Sequence, residues 1–195
     1  MSGHRQRRLP ELSALLLLPF FVALLALLAA CGGGGGGGGG STPTNPPPPT
    51  ASVTFTPASA GGAGAIYLAQ GADSTTTKLV LELRSGGVPN LYGVAFDLQY
   101  PANLLQLTQV TQGPLLADGT FQENMATSGK IVVGVTRLGT LPGVSDPGVL
   151  VRFEFRPLIT GSGQLAFSRN AALDSSGAPI ASVSWVAGSV TSVIP

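Results

Sequence analysis

Leu91-Tyr92-Gly93-Val94-Ala95-Phe96-Asp97-Leu98-Gln99-Tyr100, followed by Pro101, alternates large apolar side chains with small or polar ones. A repeat of two is that of a β-strand with one face on a core and one outside. It turns Val94, Phe96, Leu98 and Tyr100 inward and Ala95, Asp97 and Gln99 outward. The same reading extends to both sides. Over residues 77–84, Leu79, Leu81 and Leu83 face one way and Lys78, Glu82 and Arg84 the other. Over residues 148–156, Val151, Phe153 and Phe155 face inward, leaving Arg152, Glu154 and Arg156 outside. Further short runs at 52–57, 65–69, 105–111, 130–137, 164–168 and 181–193 are bounded by Gly, Pro, Asn and Asp. None carries a helical period. Evenly spaced strands with turn residues between them predict an antiparallel all-β domain over 51–195, as a sandwich, a jelly roll or a barrel.

Upstream of this domain the composition changes twice. Residues 14–30 are a run of seventeen apolar residues preceded by Arg5, Arg7 and Arg8 and ending in Leu28-Ala29-Ala30-Cys31. Charged start, apolar middle and small residues at the end are the layout of an export signal. Leu28-Ala29-Ala30-Cys31 also resembles the lipobox of bacterial lipoproteins. The resemblance implies cleavage before Cys31 and acylation of that residue, giving a signal peptide over 1–30 and a membrane anchor at Cys31. Several acyl chains would hold it stably, at about 0.8 kcal/mol per buried methylene. Gly32 after the cysteine, by analogy with lipoproteins, points to an outer-membrane or cell-surface place in the envelope. The alternative is an uncleaved signal anchor, although seventeen residues span only about 25 Å of a core of roughly 30 Å. Gly32 to Gly40 and then a segment ending in Pro46 to Pro49 cannot build a core. Residues 31–50 therefore read as the lipidated cysteine and a disordered tether, flexible in its glycine half and semi-rigid in its proline half.

From Cys31 onward the chain has seven basic and eight acidic side chains, a net charge of −1. That balance is no footprint for nucleic acid. His4 is the only histidine and Cys31 the only cysteine. Without imidazole or free thiol the domain lacks the general base of Ser-His-Asp and Cys-His catalysis, and the usual ligands of zinc or copper. The eight acids are scattered singly, with no paired glycosidase signature and no EF-hand loop. We therefore expect no catalytic residue, no metal and no cofactor.

The segment Tyr92 to Leu105 resembles the cohesin family, whose modules carry a strand ending in Phe-x-x-x-Tyr-Asp-Pro and then a Val-x-x-Gly turn. Here that turn is Val110-Thr111-Gln112-Gly113. Gly129-Lys130-Ile131-Val132-Val133, Pro147 to Phe155, Gly161 to Phe167 and Gly188-Ser189-Val190-Thr191 follow in the family's order. The resemblance implies a nine-stranded jelly-roll β-sandwich. It also implies a partner, the calcium-loaded dockerin module, and a setting in extracellular polysaccharide degradation. Positions that often hold Asn and Asp in that family hold Gly93 and Ala95 here, and the Asp between Tyr100 and Pro101 is missing.

The resemblance further implies that the strands matching 91–100 and 148–156 are neighbours in the partner-binding sheet. That would gather Asp97, Gln99, Arg152 and Glu154 on one exposed face, able to dock a polar partner or to form ordinary cross-strand ion pairs. The expected function is a membrane-anchored, non-catalytic module for protein–protein interaction or scaffolding at the cell envelope. Two alternatives stand beside it. One is a carbohydrate-binding module, for which Tyr92 is the aromatic most suited to a polysaccharide, since Trp185 and Tyr100 read as core. The other is a structural part of an envelope or secretion assembly. Residues 113–129 read as the longest strand-poor stretch, a binding loop around Glu123 or a plain connection.

Overall fold

The computed structural model describes residue 47 and residues 49–195. The expected signal peptide, the expected lipidation site Cys31 and most of the expected tether lie outside the described residues.

Among the described residues eleven strands form two sheets. They are β1 (Ser52–Pro57), β2 (Ala65–Gln70), β3 (Leu79–Gly86), β4 (Gly93–Gln99), β5 (Leu105–Gln112), β6 (Thr120–Thr127), β7 (Lys130–Thr136), β8 (Pro147–Pro157), β9 (Gly161–Leu173), β10 (Ser184–Val186) and β11 (Gly188–Val193). One sheet has six strands in the order β1-β11-β9-β4-β7-β6, and the other has five in the order β10-β2-β3-β8-β5. A 3-10 turn, Pro114–Leu116, leads into β6. The architecture is the expected all-β sandwich, but with eleven strands rather than nine. It is also not wholly antiparallel, because β10 runs parallel to β2.

The differences have local causes. β6 was invisible to a period-two reading because it is a sheet edge. From Gln122 to Thr127 every side chain is exposed, so no apolar alternation is imposed on it. It pairs with β7 through a two-residue turn, Ser128-Gly129, in which Gly129 takes the positive φ of +82° that such turns demand. β9 runs on to Leu173 instead of stopping at Ser168. A bulge sets two of its residues, Arg169 and Asn170, against Phe96 alone, and this breaks the alternation midway. The run 181–193 divides at Ala187, where the chain leaves β10 in one sheet and enters β11 in the other.

The core lies between the sheets. Phe96 of β4 meets Phe153 of β8 edge to face at 6.3 Å, and both are buried. Leu79, Leu81 and Leu83 fill the layer from β3, each with no exposed area. Trp185 packs on Phe96 and Phe167, with ring centroids 5.7 and 5.2 Å away, and Tyr100 packs on Phe155 at 5.2 Å. These rings pack into a largely aliphatic core, whose removal from water is worth about 25 cal/mol per Å².

Candidate functional site

The Phe96–Phe153 contact decides where the expected site residues lie. β4 and β8 oppose each other across the core and belong to different sheets, so their outward side chains point away from each other. Asp97 and Gln99 therefore sit on the six-stranded face, and Arg152 and Glu154 on the five-stranded face. The four do not form one surface. The expectation that the two strands are neighbours is corrected by the sheet order.

On the five-stranded face the charges close on one another. Arg152 donates to Asp73 at 2.9 Å and to Glu82 at 2.8 Å, and Glu82 also accepts from Arg84 at 2.7 Å. Lys78 lies 3.6 Å from Glu154, and Arg156 donates to Gln106. Glu82 is outward-facing yet only 8 % exposed, because the two guanidinium groups lie across it. Such a lattice holds β3, β8 and β5 in register and leaves little unsatisfied for a ligand.

The six-stranded face is built differently. Around the middle of β4 and β7 the outward residues are small: Ala95 stands in register with Gly134 on one side and Ala171 on the other. Gln122 of β6 pairs with Gly134 and Thr120 with Thr136. The result is a shallow depression of about 400 Å³ over Ala95 and Gly134, walled by Thr120, Gln122, Thr136 and Leu173. A second hollow of about 430 Å³ continues it toward Asn124 and Val132. Gly134 is the informative residue. A Cβ placed on it would meet nothing within 4 Å, and its φ is not positive, so neither space nor backbone conformation calls for glycine. Glycine inside a strand weakens it, by roughly 0.5 to 1 kcal/mol relative to alanine. Gly93, by contrast, is hemmed in by Thr136 and the Val135 carbonyl.

Asp97 lies beside this depression and is not the exposed carboxylate expected. It is 4 % exposed, covered by Arg169 from β9 and flanked by Lys130 from β7. Gln99 is exposed at the end of β4, in register with Lys130. Sequence reading passed over Arg169, Lys130, Gly134 and Gln122. The interruption of Val132-Val133-Gly134-Val135 by glycine was the one signal that could have pointed there.

The border of this face is tied down. Arg137, just after β7, forms a two-pronged ion pair with Asp118 and donates to the Pro142 carbonyl. The hydrogen bonds from Arg137 hold the Asp118 carboxyl below its ordinary range. Tyr92 Oη donates to the Gly139 carbonyl at 2.7 Å, so the ring proposed for sugars serves the same loop. Glu123 sits on the exposed edge strand β6, not in a loop. Among the described residues no three His, Cys, Asp or Glu side chains converge on a common point.

Comparison with known proteins bears on this arrangement. The family model described as Cohesin domain matches residues 75–192, more than half of the chain. No curated protein matches the sequence. Among solved structures, a non-cellulosomal cohesin from the hyperthermophilic archaeon Archaeoglobus fulgidus is 20 % identical, with a TM-score of 0.52, over 74 % of this chain and 93 % of that one. A type I cohesin–dockerin complex from Clostridium thermocellum contains a chain that is 14 % identical, with a TM-score of 0.55, over 70 % of this chain and 97 % of that one. A type II cohesin from Bacteroides cellulosolvens is 16 % identical, with a TM-score of 0.55, over 68 % and 99 %. At these identities the structural likeness speaks to the fold alone.

Proposed function

The chain belongs to the cohesin domain family of non-catalytic interaction modules, and from that premise we propose that a protein partner docks on the six-stranded face over Ala95 and Gly134. The observation that carries this reading is Gly134. A central strand gives up stability to keep a side chain off an open face, and only an approaching surface benefits from the space. The neighbouring small residues Ala95 and Ala171 extend the same clearing, and the uncharged Thr120, Gln122 and Thr136 supply a polar rim.

The partner class that fits the family is a dockerin or dockerin-like module, the partner named for the Clostridium thermocellum relative. Ala95 offers no side-chain polar group and Gly93 is buried against Thr136, so recognition here runs through shape. Cys31 anchors the module to the cell envelope through lipid, and residues 31–50 tether it. The polysaccharide link follows only through the partner, as an attached degradative enzyme. Direct glycan binding has less support, since Tyr92 is tied to Gly139 and Trp185 to Phe96 and Phe167.

Titrating calcium-loaded dockerin modules into the full chain in detergent micelles tests the docking face. Binding heat should vanish in Ala95→Arg and persist in Arg152→Glu on the other sheet. The reverse pattern would move the site to the five-stranded sheet and end the proposal. For the anchor, Cys31→Ser should leave unprocessed precursor in the membrane, and normal maturation of that variant would remove the lipid from the scheme.

A further inference from the structure

Next to the Ala95 depression the same face carries a charge cluster in which one carboxylate holds two cations. The Asp97 side chain is 6 % exposed, and its Oδ2 accepts from Arg169 Nε at 2.9 Å and from Arg169 Nη2 as well. Lys130 Nζ stands 3.8 Å from the same oxygen. A buried carboxylate needs one cation to be neutralised, so the cluster carries a charge of +1. The Arg169 side chain remains 69 % exposed even though Asp97 fixes its guanidinium, and among the described residues no acceptor takes its Nη1.

The backbone is bent to produce this. Arg169 has a φ of +47°, in the left-handed region that L side chains other than Asn and Asp seldom enter. It occupies the β9 bulge, between the pairs Ser168↔Asp97 and Ala171↔Ala95. The bulge aims the side chain across β4 onto Asp97, the re-aiming for which bulges are used beside functional sites. Asp97 follows Ala95 by two residues, so the positive cluster lies about 7 Å along the strand from the centre of the depression. Glu123, the acid at the sheet edge, borders the second hollow on the far side of the depression from Asp97, and its register with the core residue Val133 sets it on the opposite side of β6 from Gln122 and Asn124.

Resting on the docking face proposed above, we infer that the partner's contacting segment is acidic, setting an Asp or Glu carboxylate on Arg169 and Lys130 and an apolar side chain into the depression over Gly134. The carboxylate completes the hydrogen bonding of a guanidinium already oriented by Asp97, so little side-chain entropy is lost on contact. A positive spot beside an apolar clearing also selects against basic segments, which adds specificity to attraction.

Panning a phage-displayed library of random dodecapeptides against the full chain in detergent micelles, with selected peptides then synthesised, tests this. The expected consensus places Asp or Glu two to four residues from Leu, Ile, Val or Met. Affinity should fall at least tenfold in Arg169→Glu, fall less in Arg169→Gln, weaken with added salt and stay unchanged in Arg152→Glu. Thermal melting of each variant guards against unfolding, and Lys130→Glu gives a second charge reversal that leaves the bulge alone. Peptides lost in Ala95→Arg but indifferent to both Arg169→Glu and Lys130→Glu would overturn the acidic segment while leaving the docking face standing. Peptides indifferent to Ala95→Arg would overturn both, and a library yielding no binder that depends on Arg169 or Lys130 overturns the inference.

Discussion

The two outer faces of this sandwich follow one rule of alternation and end up as opposite surfaces. On the five-stranded sheet, Asp73, Glu82, Arg84 and Arg152 knit β3 and β8 together with Lys78–Glu154 beside them, and long side chains cover the strands. On the six-stranded sheet, Ala95, Gly134 and Ala171 leave the backbone nearly bare, and the charges are gathered at one side of the clearing. The difference teaches that outward positions of a sheet can serve either cohesion or contact, and that side-chain size separates the two better than polarity does.

The comparison can be pressed hardest from beneath. Phe153→Ala empties the core under both faces and should cost about 3 to 5 kcal/mol, measured as a lowered denaturant midpoint; a small change would mean that the two sheets do not share this contact. Glu82→Ala attacks the knitted face alone. It leaves Arg84 without its partner and Arg152 with Asp73 alone, both partly exposed, and should cost about 0.5 to 1.5 kcal/mol, with peptide or dockerin binding unchanged. If binding falls as well, the division of labour between the faces is wrong. Gly134→Ala works on the bare face in the opposite direction. It should raise stability by about 0.5 to 1 kcal/mol while weakening docking, and a destabilised variant would show that the fold itself requires the glycine. The smallest effect belongs to the border. Asp118 is held below the ordinary aspartate value of 3.8 by Arg137, so its stabilising share is present above that value and lost as pH falls through the lower folded one. Asp118→Asn should therefore melt slightly earlier than the parent near pH 7 and indistinguishably from it near pH 2. A gap that persists in acid would assign the effect to packing.

Alternation made the core legible because burial leaves a record in every second residue. Phe96, Leu98, Leu79, Leu81, Phe153 and Phe155 are all inside, as the pattern requires. The same pattern says nothing where a strand has no buried face, which is why β6 went unseen. It also says which side of a strand a residue takes and not which sheet the strand joins. The separation of Asp97 from Arg152 turns on that second fact, set by pairings between residues far apart in sequence such as Asp97↔Val132 and Glu82↔Arg152. Burial of the outward Asp97 and Glu82 was hidden for a related reason, since their covers, Arg169 and Arg152, arrive from strands about seventy residues away. Gly134 could be noticed in sequence, but its meaning depended on knowing that the space above it is open.

The crossing at Ala187 from one sheet to the other gives the sandwich a spine. Along that side β10 and β11 are a single residue apart, and Gln70 Oε1 of β2 accepts the Phe55 amide of β1 at 2.8 Å, a stitch between the sheets. On the opposite side β5 and β6 are joined by a longer connection through the 3-10 turn with the buried Leu116, and they lie across a groove of about 550 Å³ bordered by Leu107, Met125 and Leu158. The molecule is bound like a book. Warmth or denaturant should part its pages from the fore-edge, with amide protons of β6 exchanging well before those of the buried strands β3 and β8.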